Sequence, residues 1–145
     1  MNLTSFTCLT AAIFAAAGAT VSAQTSFKFV FGGEPKPGWT RVVPTDLYSA
    51  ETGYGFEPGA KLAVENTSAP SLASTNPFYF SVKVPEGNYK VTATLAEGSV
   101  TTIKAELRRL MVEHARTVRG KTATRTFIVN VRTPQISAEI GRAHV

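Results

Sequence analysis

Trp39, Tyr48, Tyr54 and Phe56 lie close together in a stretch interrupted by glycines and prolines. A flat aromatic face stacks on the C–H side of a sugar ring and leaves the ring hydroxyls free to hydrogen bond at the rim. A second set is cationic: Arg108, Arg109, Arg116, Arg119, Lys121 and Arg125 crowd one part of the sequence. Arginine grips a carboxylate through two parallel N–H···O bonds, so this set suits a polymer that carries uronates. Each set also has a plainer use. The aromatics would equally pin a long loop onto a core. The cations would equally form a solvated face with salt bridges to Glu106 or Glu113. The carbohydrate-binding candidates are Trp39, Tyr48, Tyr54, Arg108 and Arg109.

Other chemistry finds little footing. A serine triad needs a base beside its nucleophile. Ahead of the last seven residues the chain has one histidine, His114, and one aspartate, Asp46, and no Gly-x-Ser-x-Gly or Gly-Asp-Ser run. His114 reads as a strand-end residue, and no catalytic residue is assigned. A lone histidine with scattered carboxylates offers no metal-ligand spacing. Gly32-Gly33 and Gly53-Tyr54-Gly55 match no phosphate loop or dinucleotide fingerprint. No metal and no cofactor is expected.

The first 23 residues narrow the partners. They carry no charged side chain, run apolar and small over 9–19, and end in Val21-Ser22-Ala23, an A-x-A-like cleavage site. That is a secretory signal, so the chain is expected to be secreted or periplasmic. The run falls short of the roughly 20 apolar residues of a membrane span, and no membrane association is expected after cleavage. The only cysteine, Cys8, lies in the signal. The exported part therefore has no disulfide and must rely on its apolar core. The formal net charge is +5. For an exported protein an acidic polysaccharide fits better than nucleic acid, while a solvated surface with no polyanion partner is the commoner reading.

The residues that would position these side chains read mostly as strands. Over 78–95, Phe78, Phe80, Val82 and Val84 alternate with Tyr79, Ser81 and Lys83. After Pro85-Glu86-Gly87-Asn88, Tyr89, Val91, Ala93 and Leu95 alternate with Lys90, Thr92 and Thr94. Period two with turn residues between predicts a β-hairpin with one buried face. Residues 26–31 form a first strand with Phe27, Phe29 and Phe31 in phase. Residues 39–43 and 62–64 form short ones, and 124–131 one with Phe127, Val129 and Val131 on one face. Residues 46–56 read as an aromatic-anchored loop and 65–76 as a surface loop carrying an Asn66-Thr67-Ser68 sequon. Residues 101–114 lean to a helix on local pattern alone. Ile103, Leu107, Leu110, Met111 and His114 sit at helical spacing, yet the segment also alternates as a strand if a bulge falls at Arg108-Arg109. The last residues, 139–145, show no strand pattern and read as a translated sequencing adapter. The expected organisation is a signal at 1–23, one incomplete domain at 24–138 and that tail.

The order of motifs then resembles a known family. FKFVFGG, GWTRV, YSAETGYGFE, FSVKVPEGNYKVTATL, TTIKAELRRLMVE and TFIVNVRTP follow one another as in the N-terminal module of bacterial rhamnogalacturonan acetylesterases, over residues 27–136. The resemblance implies an all-β fold, a galactose-binding-like jelly-roll β-sandwich, here truncated at its C-terminal end, with 101–113 extended. It implies a non-catalytic module of a secreted carbohydrate esterase. Its SGNH-type esterase domain, absent from this chain, would carry the Gly-Asp-Ser nucleophile block and deacetylate pectic polysaccharide. The alternative is a stand-alone secreted carbohydrate-binding or structural β-sandwich.

Overall fold

A computed structural model describes residues 26–66, 70–106, 109–132 and 136–142. The expected signal, the Thr67 and Ser68 positions of the sequon, and Arg108 lie outside them. The described residues form strands and loops with no helix. The strands are β1 (Phe29–Phe31), β2 (Thr40–Val42), β3 (Tyr54–Phe56), β4 (Ala63–Asn66), β5 (Pro70–Ala73) and β6 (Phe78–Val82). They continue with β7 (Gly87–Leu95), β8 (Val100–Ala105), β9 (Arg109–Arg116), β10 (Ala123–Val131) and β11 (Ile136–Arg142). Five of them make one sheet in the order β3-β6-β11-β8-β9; the others pair as β1-β2, β4-β5 and β10-β7.

Alternation sets the faces as expected. In β7, Tyr89, Val91, Ala93 and Leu95 turn inward while Asn88, Lys90, Thr92 and Thr94 face solvent. In β10, Phe127, Val129 and Val131 turn inward. The β7–β10 ribbon packs through these side chains on β8 and β9. Val129 and Val131 meet Val84 and Ala105, and Leu95 meets Ile103, Val112 and Ala115. A third cluster is aromatic. Phe80 of β6 contacts Phe29, Phe31 and Phe56 with ring centroids 5.1–5.3 Å apart, in edge-to-face or tilted geometries that suit the ring quadrupoles. Each large apolar side chain withdrawn from water contributes about 1.5–3 kcal/mol.

Pairing departs from the expected hairpin. The arms of 78–95 do not pair with each other. β6 joins β3 and β11, and β7 joins β10. The Pro85-Glu86 connection therefore carries the chain from one sheet to the other. Ser81, expected to face water, is fully buried. The reason is local. Gly55 pairs opposite Ser81, and the Leu47–Tyr48 backbone lies so near Gly55 that an added Cβ would meet it at 2.4–2.7 Å. The Ser81 hydroxyl instead donates to Glu57 Oε1 at 2.5 Å.

Three loop or tail assignments also change. Residues 54–56, placed in the aromatic loop, form β3, because they pair antiparallel with Phe80–Val82 of β6; on the other side the Tyr48 N–H donates to the Phe56 carbonyl and the Phe56 N–H to the Asp46 carbonyl. Residues 63–66 and 70–73, mostly within the expected surface loop, pair antiparallel as β4 and β5. Residues 136–142, which cross the boundary expected after Ala138, form the strand between β6 and β8: Ile140 stands opposite Phe78 on one side and Ile103 on the other.

Residues 101–113 are extended, but as two strands rather than one. Ala105 pairs with Arg109 across a turn in which Glu106 takes φ 46° and its carbonyl accepts from the Arg109 N–H at 3.0 Å. The chain therefore reverses between Ala105 and Arg109; of the expected bulge only Arg109 falls within the described residues. The register slips lie further along β9, where Met111 is one extra residue and Glu113 and His114 together stand opposite Thr102.

Candidate functional site

The aromatic candidates separate by burial. Phe56 is fully buried. Tyr54 is half-buried, with its ring 5.3 Å from Phe29. For Phe56 the structure favours the pinning role over a free stacking platform, and Tyr54 shares that role in part. Tyr48 is half-buried, and its strand-like contact with Phe56 straps the 46–48 segment to β3. Trp39 is 41% exposed and is the aromatic of this group open to a ligand.

The cations divide as well. Arg109 is exposed at the start of β9, while Arg116 at its other end, Arg119 and Lys121 in the loop to β10, and Arg125 near the start of β10 are also exposed. Tyr54 on β3 and Arg109 on β9 belong to opposite edges of the five-stranded sheet. Four strand spacings of about 4.8 Å put them roughly 19 Å apart. The structure thus does not gather the candidates at one point. The same separation divides His114 on β9 from Asp46 beside β3. His114 is 61% exposed, and the Asp46 carboxylate accepts from the Val43 N–H at 2.8 Å. Among the described residues no group of three or more His, Cys, Asp or Glu side chains could hold a metal ion.

What the fold does build is a cleft of about 320 Å³ beside β3. Phe27, Lys28 and Phe29 form one wall, Gly38 and Thr40 a second, residues 50–54 a third, and Val82 with Lys83 the fourth. Backbone bonds fasten these walls together. The Lys83 N–H donates to the Gly53 carbonyl at 2.7 Å, and the Thr40 N–H to the Lys28 carbonyl at 2.7 Å. The 49–54 turn is fixed from within: the Thr52 N–H and hydroxyl both bond Ser49, and the Gly53 N–H donates to the Ser49 carbonyl at 2.9 Å. Of the residues singled out in the sequence only Tyr54 lines this cleft, while Trp39 stands between two lining residues in the chain. Lys28 and Lys83 were missed because each reads as the solvent-facing member of an alternating strand. Their convergence depends on how β1 and β6 are brought together, which no local pattern encodes.

No family model matches the chain, and no curated protein matches it. Among solved structures, protein YxiM of Bacillus subtilis is similar, with a TM-score of 0.60 and 23% sequence identity over 81% of this chain and 40% of that one. The chain thus spans less than half the length of YxiM, and the likeness is one of fold.

Proposed function

We propose that this chain is a non-catalytic carbohydrate-holding module of an exported carbohydrate esterase that resembles rhamnogalacturonan acetylesterases. In this reading a separate SGNH-type domain removes acetyl groups from pectic polysaccharide, and the present residues hold the polymer or brace that domain. The accompanying fold reading is a galactose-binding-like jelly-roll β-sandwich. The packing of the β7–β10 ribbon on β8 and β9 supports it. One observation carries the functional reading. Every residue lining the cleft comes from four of the motif segments that carry the family resemblance: 27–33, 38–42, 48–57 and 80–95. Segments scattered through the sequence thus converge on one concave surface with preformed walls, where small ligands are usually held.

The test has two parts. Electrophoresis of the purified chain through gels containing acetylated pectin should show retardation, with none in a neutral glucan. The coding sequence beyond this segment should contain a Gly-Asp-Ser block. An in-frame stop with no such block would sink the module reading and leave a stand-alone binding or structural protein.

A further inference from the structure

The cleft beside β3 carries a charge pattern that points to one kind of ligand. Lys28 and Lys83 both line it and are exposed, and neither is held in an ion pair among the described residues. Among the described residues Glu51 is the one acidic member of the lining, so these residues offer two cations against one anion. Its apolar surface comes from Phe27, Phe29, Tyr54 and Val82, which suits the C–H face of a ring. Its volume is at the low end of the range for small-molecule sites, enough for a short unit rather than a long stretch of polymer. The backbone bonds between the walls mean that little ordering is needed on binding, which favours affinity.

We propose that this cleft binds a single acidic sugar, a pyranose bearing a carboxylate, with Lys28 and Lys83 receiving the carboxylate. The ring lies on the Phe29–Tyr54 side, and Thr40 and Glu51 are within the same lining to meet its hydroxyls. The single carboxylate of Glu51 disfavours more highly charged anions such as phosphate esters. The inference rests on the carbohydrate reading above and narrows it to one unit at one place, away from the arginine-rich end of the molecule.

The experiment is a titration of the isotopically labelled chain, followed by amide chemical shifts, with galacturonic acid and with galactose as its neutral counterpart. Galacturonate should shift the amides of Lys28, Thr40, Gly53 and Lys83. Galactose should bind about tenfold more weakly, as expected for loss of a charge-assisted contact. The exposed double variant Lys28→Gln/Lys83→Gln should keep the wild-type spectrum elsewhere and lose the preference for the acid. Equal response to both sugars, shifts confined to residues 116–125, or no shifts up to the solubility limit would each overturn the assignment. Pectin retardation measured on the same double variant separates this inference from the broader one. Retardation that survives unchanged overturns the role of the cleft and leaves the module reading standing. Retardation that falls with galacturonate binding supports both.

Discussion

At the residue scale, Gly55 is the position with least room for change. Its φ of +147° is one that L residues rarely adopt, and a Cβ there would meet Tyr48 N at 2.4 Å and the Leu47 carbonyl carbon at 2.5 Å. Both obstacles are backbone and cannot rotate away. Gly55→Ala should destabilise the protein by about 3 kcal/mol or more, by strain and displacement together. Gly98 is the control: its φ is +62° with nothing within 4 Å of a built Cβ, so Gly98→Ala should cost only about 1 kcal/mol. Urea unfolding of the two variants checks the contrast, and equal losses would contradict it. Thr117 makes a second residue-scale case. It is buried; its hydroxyl donates to the Ala96 carbonyl at 2.6 Å and accepts from the Ser99 N–H at 2.8 Å. Thr117→Val keeps the shape but takes the acceptor from the Ser99 N–H, while the Ala96 carbonyl still accepts from the Ser99 hydroxyl at 2.9 Å, so a loss of about 1–3 kcal/mol is expected in the same assay. Neither role shows in the sequence. Gly55 looks like any turn glycine, and Thr117 follows a strand in an unremarkable way. What makes them special is a second segment crossing nearby.

At the scale of elements, side-chain phase was legible and strand partnership was not. The inward sets of β7 and β10 follow from period two alone. The assumption that 78–95 pairs with itself failed because turn residues between two strands are compatible with a hairpin and equally with a crossing between sheets. In 101–114 the residues at helical spacing were not all the inward ones: Leu110 and His114 are exposed, while the extra residues of β9 turn Val112 and Ala115 inward. The reversal at Glu106 carries no glycine or asparagine to announce it. β11 was missed because its own composition is undistinguished; its place is set by the open edges of β6 and β8 on either side. Its central position gives a prediction. A chain ending at Arg132 should lose cooperative thermal unfolding and aggregate, because both neighbouring strands would expose unpaired N–H and C=O groups. A sharp transition in that shortened chain would mean that the sheet is stable without its middle strand.

At the scale of the whole molecule, the residues suited to acyl transfer are spread rather than assembled. His114 and Asp46 are carried by opposite edges of the sheet, and Asp46 is occupied by the Val43 N–H. The carboxylate near His114 is that of Glu113, 3.9 Å from its Nδ1, and both side chains are exposed to water rather than held as a triad holds its base. The purified chain should therefore release no acetate from acetylated pectin and leave a chromogenic ester intact; turnover abolished by His114→Ala would show a catalytic role for that histidine. Pectin binding should weaken as salt rises from low ionic strength, because exposed charges are screened over about 8 Å at physiological salt. Of the candidate site, the sequence showed the chemistry wanted, aromatic surface and positive charge. It did not show which copies would meet. Tyr54 was spent largely on the core, Arg109 went to the far edge, and two lysines that looked merely solvated came to share a cleft.

The place of β11 also bears on how the chain is born. A ribosome releases β6 and β8 long before residues 136–142 emerge, so throughout that interval the two strands that will flank β11 have no partner between them. Contacts so distant in sequence form slowly, and open strand edges on a nascent chain invite pairing with other chains. Yield in a cell should accordingly rise with chaperone supply and fall when synthesis after β8 is slowed, more than the stability of the finished protein would indicate.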